Sequence, residues 1–532
     1  MIRFMSSYEG LAGMPRRYVD LGYSHGFNRF VQVNETMAIV AMVVVAVQFV
    51  FVGMVVYSVA RIFLKTNMRA LIPLLLAALT VTTATAQKDY TSAIDSFMQS
   101  QVQFRGFNGN VLVAKSGKVL YQRSFGYSNF DTKAPLDENS LFELASVSKQ
   151  FTAVGILLLK DEGRLSLSDT LRKFFPELPY SHVTIRHLLT HTSGLPDYMG
   201  AMIRKWDHKK IAFNTDVIQF LATERIPADF RPGEKCVYSN TGYQMLASII
   251  EKVSGEPYEV YMMEHVFKPA GLQRTRIYNT RRSGETIPNY AYGYTYVDSL
   301  RPGVLPDSVK ALDFVFYLDG IVGDGTVNST TGDLLLWDRA LKEHKLLSAA
   351  TQKQMFTPQH LFDSTIKNYY GYGEFLGTNE IGPYITHSGG WPGYHTVLTR
   401  YTNQDLTLIV LSNYQSDAEG VAGGLAYIIT GRTVVLPYVH LAIQLDSTAL
   451  DRFVGKYNVP YAGEISIVRK GDKLYRYKTG ASEIELLPES PQKIFYKGWS
   501  DTQIEFEWDS RGKAKKVFFI HSGMKKEITP IK

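Results

Sequence analysis

Cysteine is almost absent. Cys236 is the one cysteine in 532 residues, which excludes an intrachain disulfide and a cysteine-based zinc site. It is expected as a small buried hydrophobe. A large charge imbalance is also missing. The 57 basic and 50 acidic residues leave a net charge of +7. Residues 1–69 hold seven basic side chains against three acidic ones, so the other 463 residues carry only +3. A nucleic-acid binder would concentrate its excess on the folded part of the chain, so nucleic acid is not an expected partner. No long-period repeat or low-complexity tract is present. With 45% hydrophobic and 20% charged residues, a mainly disordered chain is excluded as well.

The length allows two or three domains. Residues 37–60 are apolar apart from Gln48, Tyr57 and Ser58. A bilayer takes ~20 such residues, so a membrane-spanning helix is expected there, with the membrane as a partner. Arg61, Lys65 and Arg69 would then lie on the cytoplasmic side. A second signal begins at Met68. Arg69 precedes an apolar run over 70–81 that is too short to span, and Ala84-Thr85-Ala86 precedes Gln87. Residues 68–86 therefore have the pattern of a secretory signal peptide, complete if translation starts at Met68. Export to the periplasm or beyond is expected, or tethering through 37–60. The stretch Ser7-Tyr8-Glu9-Gly10-Leu11-Ala12-Gly13-Met14-Pro15-Arg16-Arg17-Tyr18-Val19-Asp20, followed by an apolar helix, resembles the C-terminal end of haem–copper oxidase subunit I. The histidine in residues 1–67 is His25 alone, so no metal function carries over.

Further on, residues 108–121 read as a hairpin turning at Ser116-Gly117. Helices are expected over 147–162, closed by Gly163, and over 242–253, closed by Gly255. Others are expected over 185–189 and 331–341. Strands are expected over 384–386, 396–400 and 406–411. Beyond Pro437 the pattern changes to short alternating segments, such as Glu464-Ile465-Ser466-Ile467-Val468, separated by Gly-containing turns. A separate small β-sandwich or barrel is expected over 446–532.

Three motifs carry chemistry. Ser146-Val147-Ser148-Lys149 opens a helix, where residues three apart share a face. A lysine held among apolar groups can lose its proton and take one from the Ser146 hydroxyl, which is otherwise a poor nucleophile. Tyr238-Ser239-Asn240 pairs a tyrosine that can stay partly ionised near a lysine with an amide able to meet a substrate amide. His387-Ser388-Gly389-Gly390 follows a strand, and its glycines let a substrate backbone approach. The Gly390 N–H can join the Ser146 N–H as an oxyanion hole. His387 is expected to place a positive or hydrogen-bonding group near a substrate carboxylate. KM for a carboxylate-bearing substrate would then climb as pH rises through the imidazole pKa of ~6.5. His191-Thr192-Ser193-Gly194 mimics the third motif and is expected to be a structural loop.

Together these motifs resemble the serine β-lactamase and penicillin-binding-protein family, in its class C β-lactamase, DD-carboxypeptidase and esterase form. The resemblance runs over about 93–430 and extends to Leu188-Leu189-Thr190-His191-Thr192-Ser193-Gly194-Leu195, Pro232-Gly233 and Phe267-Lys268-Pro269-Ala270-Gly271-Leu272. It implies an α/β (α+β) fold over 93–437: an antiparallel sheet flanked by helices, with a helical lobe. It also implies an exported serine hydrolase working through an acyl-enzyme, without cofactor or metal. The implied catalytic residues are Ser146, Lys149 and Tyr238. The implied substrate-binding residues are Asn240, His387, Ser388, Gly389 and Gly390. The substrate would be a small molecule or peptide, cell-wall material included. Family β-lactamases usually carry Lys-Thr-Gly where this chain has His387-Ser388-Gly389. That ranks an ester or D-amino-acid peptide above a β-lactam. The C-terminal region resembles the lipocalin-like tails of some members. Two other readings stay open: a penicillin-recognising sensor with little turnover, and a subunit of a membrane complex.

Overall fold

The structure is a computed structural model. It describes residues 52–55, 57–58, 90–296, 303–364, 367–459 and 463–531. The chain divides into two units, one of Met1–Met14 with Tyr90–Lys532 and one of Pro15–Asp89. Of the second unit only 52–55 and 57–58 are described, as helix. The oxidase-like segment 1–67, the span 37–60 and the signal segment 68–86 otherwise lie outside the described residues. Among the described residues, no helix is long and apolar enough to cross a membrane.

Helix α1 (Tyr90–Arg105) leads into the expected hairpin, β1 (Gly109–Lys115) and β2 (Lys118–Phe125). These join six strands from the far end of the domain: β3 (His360–Asp363), β4 (Asn368–Tyr370), β5 (Phe375–Thr378), β6 (Pro383–Trp391), β7 (Tyr394–Tyr401) and β8 (Leu406–Ser412). The sheet order is β2-β1-β8-β7-β6-β5-β4-β3, with antiparallel neighbours throughout. Both faces are covered. Leu112, Leu398, Ile409 and Leu411 face the large helical core, while Val111, Val113, Val397, Leu408 and Val410 face a second core. Successive strand residues point to opposite faces, so strands buried on both sides become continuous apolar runs.

The helical core holds α2 (Lys149–Asp161), α3 (Ile185–Leu189), α4 (Tyr198–Lys205), α5 (Asn240–Ser254) and α6 (Thr331–Lys342). The helix expected over 147–162 begins at Lys149, because the preceding turn Ala145–Ser148 winds as a tighter 3₁₀ turn. The helix expected from 242 begins at Asn240, where the Ser239 hydroxyl caps it by accepting from the Gly242 N–H at 3.1 Å. It ends at Gly255 in the left-handed region, φ 78°. Helix α7 (Ala418–Ile429) and α1 cover the other sheet face.

The C-terminal region is a closed eight-stranded barrel running in chain order from β9 (Gly455–Val459) to β16 (Met524–Ile531). This resolves the sandwich-or-barrel alternative. Leu474, Leu486, Ile494, Ile504, Phe506 and Val517 fill its interior, as side chains do in small barrels. The barrel rests on the hydrolase-like domain through an Arg105–Asp501 ion pair and a Lys526–Glu380 pair at 2.9 Å.

Candidate active site

Ser146 lies in the tight turn ahead of α2, 5% exposed. Ala145 before it has φ 49°, a conformation that costs a non-glycine residue energy and that packing must hold in place. Lys149 is fully buried. Its Nζ lies 3.1 Å from Ser146 Oγ, 2.8 Å from Asn240 Oδ1 and 2.7 Å from the Asp324 carbonyl oxygen. A neutral amine fits this cage by donating to the amide and carbonyl oxygens and accepting from the serine hydroxyl. Burial pushes the lysine down to about 7, partly opposed by the Asp324 carboxylate. The amine is therefore available as a base near neutral pH.

Tyr238 stands across from this pair, with Lys149 Nζ over its ring face at 4.9 Å from the centroid. Its buried Oη interacts with Ser146 without the geometry of a direct hydrogen bond. The expectation of a partly ionised tyrosine is corrected. Burial pushes Tyr238 well above the usual phenol range, so it is a neutral phenol.

The third motif lies inside a strand rather than after one. The strand expected over 384–386 continues as β6 to Trp391, because Gly389 and Gly390 pair with Thr396 and His395 of β7. β5 pairs with β6 only as far as Thr386, which leaves that edge open from His387 onward. The register assigns the faces. His387 is opposite Leu398 and Ser388 is opposite Val397, residues of the two different cores. A Cβ on Gly389 would lie 2.1 Å from the Leu144 carbonyl oxygen and 3.1 Å from Ser146 N. Glycine is thus required for β6 to lie against the serine turn. Gly390 is exposed, with open space around it.

Two substrate-binding expectations are corrected by this geometry. His387 is 1% exposed, with Nε2 3.1 Å from Tyr370 Oη and Nδ1 2.7 Å from the Ser388 carbonyl oxygen. Burial, reinforced by the nearby Lys149, pushes it down to about 3, so it is a neutral imidazole rather than a cation. Ser388 points to the other sheet face, where it interacts with the Glu419 carboxylate of α7. A pH dependence of KM arising from His387 is accordingly not expected. Between about pH 5 and 8 the imidazole stays uncharged, so KM for matched charged and neutral substrates should keep a constant ratio. A ratio that climbs through pH 6–7 on steady-state measurement would contradict the buried imidazole.

Three contributors stand outside the three motifs. His191, assigned to a structural loop, is fully buried with its ring 4.3 Å from that of Tyr238. Its Nδ1 accepts from the Ser239 N–H at 3.1 Å, which fixes the approach to α5. Tyr370 holds His387, and the Asp324 carbonyl holds Lys149. Nothing in their spacing marks them, because loops 191–194 and 323–326 resemble ordinary glycine turns. Cys236 is only part-buried, its thiol 3.5 Å from the Thr190 carbonyl oxygen. No cluster among the described residues could hold a metal ion.

Comparison with known proteins places this geometry. The beta-lactamase family model matches residues 93–430. The chain belongs to the beta-lactamase family. Members of this family are serine hydrolases, and the antiparallel sheet flanked by helices is its fold. A second model, a domain of unknown function, matches residues 440–528. Penicillin-binding protein 4* of Bacillus subtilis is 42% identical over 422 residues, covering 78% of this chain and 93% of that protein. A D-aminopeptidase of Brucella anthropi is 26% identical over 344 residues, covering 64% of this chain and 63% of its own length. Among solved structures, the octameric penicillin-binding protein homologue from Pyrococcus abyssi matches with a TM-score of 0.59 and 25% identity, over 82% of this chain and all of that one. Within the beta-lactamase family, this chain thus resembles both a penicillin-binding protein and a D-aminopeptidase.

Proposed function

We propose that the chain hydrolyses an ester or D-amino-acid amide or peptide bond through an acyl-enzyme on Ser146. The observation that carries this reading is the fully buried Lys149 Nζ, 3.1 Å from Ser146 Oγ and held by two further acceptors. Neutral Lys149 takes the Ser146 proton as Oγ attacks the carbonyl carbon. The oxyanion is met by the Ser146 and Gly390 N–H groups. Tyr238, a neutral phenol, gives its proton to the departing nitrogen or oxygen and regains one from the Lys149 ammonium. Water then attacks the ester with the same groups in reverse. Asn240 faces the substrate amide beside Lys149, and the open edge of β6 at Gly389 and Gly390 receives the acyl chain.

The substrate class follows from what β6 offers. With a neutral, buried His387, the strand presents no histidine cation to the carboxylate that most β-lactams carry. The similarity to a D-aminopeptidase supports the same ranking. Intact-mass measurement with a fluorophosphonate or penicillin probe, followed by peptide mapping, tests the nucleophile. Turnover is tested with a D-amino-acid amide, a short-chain ester and a cephalosporin. Steady turnover of the first two above the third is expected. One acyl group per chain followed by no turnover of any of them would instead make the protein a penicillin-recognising sensor.

Export belongs to the same proposal. Ala84-Thr85-Ala86 supports cleavage before Gln87 when synthesis starts at Met68, and 37–60 supports tethering when it starts earlier. N-terminal sequencing of material expressed from Met68 should return Gln87 in the exported fraction. An uncleaved cytoplasmic product would sink it.

A further inference from the structure

Asp324 lies behind the lysine pocket, on the loop between the helical turn Phe314–Tyr317 and the short strand Val327–Ser329. It is 7% exposed, and two of its groups are held. Its carbonyl oxygen accepts from Lys149 Nζ at 2.7 Å, and its carboxylate accepts from Tyr198 Oη at 2.9 Å. Both are fixed in place. The loop is pinned by Thr152 donating to the Gly323 carbonyl at 2.6 Å, by Asn214 bridging both backbone groups of Val322, and by the Val327 N–H donating to Ser148 Oγ at 3.0 Å. Tyr198 is pinned by its N–H, which donates to Thr241 Oγ1 at 3.0 Å.

The bonds that hold this loop run through backbone groups and through Thr152, Asn214 and Ser148. Apart from a bond to its own backbone N–H, the Asp324 carboxylate takes no part in holding the loop. Burying a carboxylate against a phenol is costly, and an amide of the same shape would spare that cost. The charge therefore asks for an explanation outside the packing of the loop, and Lys149, bonded to the carbonyl of the same residue and subject to its charge, supplies one.

We propose that Asp324 is a positioning residue that governs the charge state of Lys149, with Tyr198 as its tether; this rests on Lys149 being the base for Ser146. Burial pushes the Asp324 carboxyl above the usual carboxylate range, opposed by the Lys149 charge and by the Tyr198 hydroxyl that donates to it. While ionised, it favours the Lys149 ammonium, whereas burial favours the amine. The balance between them sets the pH at which the base becomes available. Other groups around Nζ add little charge. Tyr238 and Tyr243 present ring faces at 4.9 and 5.7 Å, and both phenols are held neutral by burial. His191 and His387 are likewise held neutral by burial. Asn240 and Ser146 are uncharged. Asp197, at the start of α4, acts on Asp324 rather than on the lysine. Among the described residues, the carboxylate that acts on Lys149 is that of Asp324.

The test is the pH profile of kcat/KM, which reports groups of the free enzyme. The probe is 4-nitrophenyl butyrate, an uncharged ester, hydrolysed by the full chain as wild type, Asp324→Asn and Tyr198→Phe. The wild type should show an acid limb with its midpoint near 7. Removing the negative charge makes the ammonium less favourable, so the Asp324→Asn midpoint should fall by about one pH unit or more. Its alkaline plateau should also drop, because the base is weaker. Tyr198→Phe should move the midpoint the same way by less, since a carboxylate deprived of its donor takes up a proton more readily. A purely structural role would lower the plateau and leave the midpoint alone. A wild-type limb near 7 with both variants unmoved overturns the role of Asp324 and leaves the base assignment intact. If Asp324→Asn fails to fold, Tyr198→Phe decides by the same criterion. A wild-type profile without the limb overturns the base assignment, and this proposal with it.

Discussion

Ser146→Ala is expected to remove covalent labelling by a fluorophosphonate or penicillin probe and to lower hydrolysis by ~10⁴-fold or more, the scale seen when an acylated nucleophile is deleted. The expectation comes from the contact between Ser146 Oγ and a lysine that burial has pushed down to about 7. Ser148 is the informative control, because it adjoins Lys149 yet points away. Its hydroxyl is 1% exposed and accepts from the Val327 N–H at 3.0 Å. Ser148→Ala should therefore keep the label while losing about 1–3 kcal/mol of stability, the cost of leaving a buried donor unmet. Intact-mass labelling and thermal unfolding on the same samples separate the two effects. Loss of label from Ser148→Ala in a folded protein would move the nucleophile.

Lys149→Met is expected to lower kcat/KM by ~10²- to 10⁴-fold, the contribution typical of a positioned general base. Methionine preserves the apolar stem, so this variant tests the amine rather than the packing. The residual activity should also lose the acid limb near pH 7 seen in the wild type. The sign follows from the direction of the shift. A group whose pKa is lowered by burial is neutral above that pH and charged below it, and only the neutral amine can accept the serine proton. Low residual activity with an unchanged pH profile would show that another group sets the limb.

Much of the site was legible from the chain because its parts lie close in sequence. Ser146 and Lys149 are three residues apart and meet across one turn. Gly255 marks the end of α5 by local chemistry, whereas its start at Asn240, capped by Ser239, lies two residues ahead of the expected one. The faces of β6 were not legible in the same way. A strand covered on one side announces its faces by alternation, but β6 lies in a sheet with a hydrophobic core on each side. Which of His387 and Ser388 faces the serine depends on register with β7, and only the fold supplies that register. His191 and Asp324 were hidden for a different reason. Their roles depend on Tyr238, 47 residues away from one, and on Lys149, 175 residues from the other. The C-terminal barrel was legible as short strands and turns, but its closure depends on β9 pairing with β16.

The pairing of β1 with β8 also dictates the order in which this protein can come into being. Gly109 is opposite Ser412, so the central ladder joins segments about 300 residues apart. At a synthesis rate of ~5–20 residues per second, the β1–β2 hairpin would wait roughly 15–60 s for its partner to be made. A two-stranded hairpin alone is marginal in water, so the early chain has nothing to lock it. The serine turn is contacted by β6, and Lys149 Nζ is held by the Asp324 carbonyl, so the site too is assembled late. Nascent chains arrested before residue 406 should therefore remain protease-sensitive across 109–115, with protection gained as the strand 406–412 emerges.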